Sequence, residues 1–174
     1  LFATTGFAVV LAVACASGAR SGSTTHLQMQ VHYEAAGQIQ AAMVAGDLAA
    51  AREGARILAD NPTDLGPAGQ EHADDLAALV RTIRTARTFG EAADATGLMA
   101  ATCGDCHDAM GRGPTFSSAD PPQDLGFTGH MIAHSWAADR MWEGLLSHST
   151  EKWIAGVDVF GADEPLHGGG LTPA

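Results

Sequence analysis

Apolar residues along this chain recur at steps of three and four. No stretch alternates with period two, so every element the pattern predicts is a helix. A first helix over 27–45 carries Met29, His32, Ala36, Ile39 and Met43 on one stripe. Thr25-x-x-Gln28 has the form of a capping box at its start. Gly46-Asp47 interrupts the stripe, and Asp47 is placed to cap a second helix reaching about residue 59, with Leu48, Ala51, Ala55 and Leu58 inward. Asn61-Pro62 through Gly66-Pro67 reads as a turn. A third helix follows over 68–87, facing in with His72, Leu76, Leu79, Val80 and Ile83. A fourth starts near Glu91 and sets Met99, Cys103, Cys106 and His107 on one side. Four helices with short connections predict an all-α fold, an antiparallel four-helix bundle over 26–110. Alanine and glycine on the inner faces predict close packing with room for a large planar group.

The flanks divide further. Residues 1–19 carry no charge, and the first charged side chain is Arg20. Three readings stay open: a cleaved signal with Ala14-Cys15-Ala16 as its site, a lipoprotein leader ending at Cys15, and an uncleaved anchor close to the spanning length of about 20 residues. Each places the remainder in a periplasmic or other extracytoplasmic space. A Gly/Ser/Thr run gives a linker over 20–25. Beyond the bundle, 111–126 is a Pro/Gly/Ser-rich loop and 127–160 a C-terminal helical extension. Its first helix, to about residue 147, carries Met131, His134, Ala138, Met141, Trp142 and Leu145. Ser149 or Thr150 caps a short second one with Trp153, Ile154, Val157 and Phe160. Residues 161–174 read as a flexible tail.

With 174 residues, 46 % of them hydrophobic, the chain has material for one core. Its net charge of −11 argues against nucleic acid as a partner and leaves two readings equally open, a redox partner with a basic docking surface and plain solubility. Two of the three cysteines lie in the string Cys103-Gly104-Asp105-Cys106-His107. This is C-x-x-C-H, the attachment signature of a c-type haem. Two thiols at this spacing can each add to a vinyl group of one porphyrin, and the next residue lies under the ring with a nitrogen for iron. A thioredoxin-like pair requires a strand-to-helix turn, and no strand pattern precedes Cys103. Zinc requires further ligands, and Cys15 is the only other cysteine. A Cys103–Cys106 disulfide would close a very small loop. The expectation is one covalent haem c on Cys103 and Cys106, with His107 as the proximal iron ligand. In this the chain resembles the c-type cytochromes as a class.

An antiparallel four-helix bundle with C-x-x-C-H late in its fourth helix also resembles the cytochrome c prime family. The alanine-rich pattern of 47–60 is similar to that family's second helix. The resemblance covers about 25–110. It implies that the residue facing the open side of the iron comes from the first helix, near Met29 or His32. The chain departs from the family by continuing from Asp108 to Ala174. His32 is the leading expectation for the sixth ligand, with His130, Met131, Met29 and His134 as alternatives. The function expected is that of a membrane-associated monohaem cytochrome passing single electrons between redox partners, in or beside a respiratory or photosynthetic membrane complex. The alternatives are a five-coordinate haem binding nitric oxide and a structural haem subunit. Peroxidase-like chemistry would require an open iron with a polar distal group, and nothing in the sequence fixes Arg112 or Arg140 beside it. His26, His72, His148, His167, Trp136, Trp142 and Trp153 read as core or surface residues.

Overall fold

A computed structural model describes residues 14–62, 65–117, 120–122 and 127–162. Its elements are α1 (Ala14–Ala45), α2 (Leu48–Asp60), α3 (Gln70–Thr85), α4 (Phe89–Ala109), α5 (Phe127–Leu146) and α6 (Thr150–Ala162). No strand occurs among the described residues, so the protein is all-α.

The helix starts show their causes. Gly46 takes φ +71°, the left-handed turn that ends α1 and that side chains resist. The Asp47 carboxylate then accepts from the amides of Ala49 (3.0 Å) and Ala50 (2.9 Å), two donors the first turn of α2 leaves open. α4 begins two residues before Glu91. Thr88 and Glu91 form a reciprocal capping box, with the Glu91 amide donating to Thr88 Oγ1 at 3.2 Å. The Ser149 hydroxyl accepts from the Lys152 amide at 3.3 Å and opens α6.

The first helix differs from its expected span. α1 starts at Ala14, so the linker expected over 20–25 is continuous helix, and Thr25 lies inside it rather than at a cap. Serine and threonine cost a helix only tenths of a kcal/mol per residue relative to alanine, and glycine about 1, so a helix already formed over 27–45 propagates through them. Residues 1–13 of the expected anchor and residues 163–174 of the tail, His167 included, lie outside the described residues. Among the described residues no helix is long and apolar enough to cross a membrane.

α1 packs on α2, α2 on α3, α3 on α4, and α1 more lightly on α4. A hydrogen bond from His32 to the end of α2 shows that the first pair runs antiparallel. The shared core holds Ala35, Ala36, Ile39, Ala42, Ala51, Ala55, Leu58, Val80, Ile83, Ala95 and Met99. Among the described residues only Ile39, Ile83 and Met99 are both large and fully buried. α5 and α6 form a hairpin of their own that lies against α4. Trp142 joins it to the core, and the Gln40 amide reaches Asp139 at 3.4 Å. Arg140 pairs with Glu143 and donates to the Ser117 carbonyl at 2.9 Å, which ties the loop after α4 to α5. Phe116 in that loop sits 6.0 Å from the Tyr33 ring, with the Lys152 ammonium 5.8 Å from its own.

Candidate functional site

The buried residues of α4 are Ala92, Ala95, Thr96, Met99, Ala100 and, within the motif, Gly104. Steps of three and four continue the face of the first five through Cys103, Cys106 and His107, so all three lie on the helix face that looks into the fold. Burial changes along that face. Ala92 to Ala100 are closed off, whereas Cys103, Cys106 and His107 are half-buried. Met29 and His32 of α1, and His72 and Leu76 of α3, are half-buried as well. On α4 the fully buried apolar side chains thus end at Met99 and Ala100, while within the motif Gly104 is buried against the end of α5.

The thiols of Cys103 and Cys106 are free, not joined to each other. Burial pushes the Cys103 thiol up to about 12, with the neighbouring Cys106 adding to the rise. Burial raises Cys106 too. Both are therefore protonated at neutral pH. That is the reverse of the depressed thiol pKa on which a thioredoxin-like nucleophile depends.

His107 has a defined ring. Its Nδ1 lies 2.7 Å from the Leu146 carbonyl oxygen at the end of α5. A carbonyl only accepts, so Nδ1 donates and a neutral ring carries its lone pair on Nε2. Metal-ligating histidines are held this way, with one nitrogen donating to an acceptor and the other left for the metal. A Cβ built on Gly113 would stand 3.1 Å from the His107 Cβ, so the loop leaving α4 closes the other side of this residue.

Two neighbours of His107 in the motif also meet the end of α5. A Cβ on Gly104 would lie 2.0 Å from the Leu145 carbonyl oxygen and 3.1 Å from the His148 amide nitrogen. Helix α4 and the last turn of α5 therefore touch backbone to backbone. The Asp105 carboxylate sits 3.0 Å from His148 Nδ1, an exposed pair, on a residue with φ +51°.

The sixth-ligand candidates fall in two places. His32 lies on α1 with its Nε2 2.6 Å from the Asn61 carbonyl oxygen, so that nitrogen donates to the end of α2. Met29 is one turn earlier on the same helix, half-buried. His130, Met131 and His134 lie at the opposite end of α5 from the motif. The rings of His130 and His134 are 4.2 Å apart, and His134 meets the Phe160 ring at 4.9 Å. Met131 is exposed. Sixteen residues separate His130 from Leu146, about 24 Å at the rise of an α-helix. The structure brings Cys103, Cys106 and His107 together but does not bring His130, Met131 or His134 to them.

Two open clefts flank the junction of α4, α5 and α1. One of about 210 Å³ is lined by Ala101, Asp105, His148 and Trp153 among others, and one of about 320 Å³ by Tyr33, Gln40, Asp139 and Trp142 among others. Neither is lined by Cys103, Cys106 or His107. Among the described residues no three or more His, Cys, Asp or Glu side chains gather as a metal-ion site. The participants that periodicity does not reveal are the Leu146 carbonyl and the close approach at Gly104. The first is a main-chain atom with no sequence signature. The second had one, a glycine at the first variable position of the motif.

Comparisons with protein-family models, with curated proteins and with solved structures each return no match.

Proposed function

We propose that the protein is a monohaem c-type cytochrome that carries single electrons, with Cys103 and Cys106 as thioether donors and His107 as the proximal ligand through Nε2. One observation carries the reading: His107 donates from Nδ1 to Leu146 while two unpaired thiols share its helix face. The donor set fits a haem, since the porphyrin supplies four of the iron's ligands and the protein need gather only thiols and one imidazole. The half-buried stretch that the motif shares with α1 and α3 is where a flat apolar group would complete the core. When bound, the haem supplies one-electron iron chemistry. The chain attaches it, orients His107 and shields one side. The antiparallel four-helix arrangement of α1–α4 belongs to the same proposal, in the manner of the cytochrome c prime family, with the α5–α6 hairpin as this chain's addition.

Acidic acetone added to the denatured protein is expected to leave the haem on the chain. Haem in the organic phase would sink the attachment reading.

A second reading is favoured by the His32 contact. With Nε2 engaged by Asn61, the ring has no lone pair at that nitrogen to offer iron. A five-coordinate iron that binds nitric oxide is the outcome if this bond persists in the loaded protein. The two readings separate in the ferric spectrum. If His32 swings from Asn61 to iron, the wild type is low-spin, and His32→Ala turns it high-spin. If the bond to Asn61 holds, wild type and variant share one high-spin spectrum and both bind nitric oxide.

A further inference from the structure

We propose that the end of α5 and the turn that follows it, residues 145–148, are the proximal support of the haem site: the Leu146 carbonyl holds His107 as the Nδ1–H form and orients its ring, and Gly104 is the position that lets this segment reach the motif. The inference rests on the attachment reading of 103–107 and adds an electronic role for the C-terminal hairpin.

Three contacts converge. Leu145 meets Gly104, Leu146 meets His107, and His148 meets Asp105. They join the end of α5 and the turn after it to one turn of α4, and His107 Nδ1 has its acceptor 39 positions away in sequence. The acceptor matters chemically. An Nδ1–H that donates to a carbonyl makes the ring more basic at Nε2, so it gives more electron density to a bound metal. A more basic donor stabilises the ferric over the ferrous state, because the ferric ion carries the greater charge.

Gly104 sets the distance. A methyl group there would collide with the Leu145 carbonyl oxygen at 2.0 Å. That atom belongs to the backbone and cannot rotate aside, so α5 must retreat by more than about 1 Å to reach ordinary contact distance. A 2.7 Å hydrogen bond one residue further on would lengthen past the range in which it counts as one. Gly97 in the same helix provides the comparison, since nothing lies within 4 Å of a Cβ built there.

The test uses the full-length haem-loaded protein and two measurements, reduction potential and exchange of the His107 Nδ1 proton with solvent. Exchange is followed by nitrogen-15-resolved proton NMR of the reduced low-spin protein, with carbon monoxide added if the sixth position is open. In the wild type the Nδ1 proton is expected to be visible and protected. Gly104→Ala is expected to speed its exchange about tenfold, the worth of one net hydrogen bond, and to raise the potential. Gly97→Ala is expected to change neither. Haem retained on the chain with exchange and potential unchanged in Gly104→Ala overturns the inference alone, as does an equal shift in Gly97→Ala. Haem lost to acidic acetone overturns the attachment reading and the inference together. If Gly104→Ala does not fold, the wild-type exchange decides by itself: a proton exchanging at the solvent rate overturns the support role, and a protected one upholds it.

Discussion

His107→Ala is expected to cut the yield of folded haem-loaded protein at least tenfold, as measured by haem absorbance per chain after purification. Two losses combine. The chain loses the imidazole proposed as iron ligand, next to the thiols proposed to hold the haem. It also leaves the Leu146 carbonyl without its donor in a part-buried place, a cost of about 1–3 kcal/mol. Against a total stability of about 5–15 kcal/mol for a domain, that second loss alone is large. Substitution of His148, whose contact with Asp105 is exposed, is expected to cost less than about 1 kcal/mol. A His107→Ala protein recovered with the wild-type haem content and an unchanged ferric spectrum would show that iron takes its ligand elsewhere.

Met99→Ala is expected to lower the unfolding free energy by about 2–5 kcal/mol, read from the midpoint of urea denaturation at constant slope. Met99 is fully buried, lies one turn before Cys103 on the same face of α4, and is one of only three large side chains among the described residues that are wholly inside the core. Six of the ten other buried residues in its cluster are alanines, which have no side-chain length with which to fill the space. The cavity term should therefore be nearly complete. A loss below about 1 kcal/mol would mean that the helices close over the gap, and the core would then be softer than its packing implies.

Much of the fold was legible because helical periodicity is a strong signal where one face is buried. α2 starts at the Asp47 cap, and α6 starts behind Ser149. The start of α4 lies in the capping box at Thr88 and Glu91, a polar signal that an apolar stripe does not carry. The span of α1 was misjudged for another reason. Ser, Gly and Thr between 17 and 25 have the composition of a linker, but their individual costs are small beside the cooperativity of a helix already under way. At the site, Cys103, Cys106 and His107 announce themselves by spacing. His32 was legible as an inner-stripe residue. Its ring is turned to a main-chain carbonyl, however, and no pattern of side chains encodes that. The same blindness hid Leu146: the residue type reports an aliphatic core position, while the contact uses its backbone oxygen.

Most of the buried apolar positions are alanines: Ala35, Ala36, Ala42, Ala51, Ala55, Ala86, Ala92, Ala95, Ala100 and Ala137. This makes the tolerance of the protein to change lopsided. An alanine seam has nothing left to trim, and each methyl group contributes only about 0.8 kcal/mol of burial. Enlargement is another matter. A valine or leucine has no slack to enter, and where small residues hold two helices in register it must wedge them apart along their length, at about 1–3 kcal/mol or more per site. The seam thus acts as a ruler that fixes helix spacing. Bulk enters without forcing the gauge at Gly97, where nothing lies within 4 Å of an added Cβ, whereas at Gly104, between Cys103 and Cys106, the ruler is at its tightest.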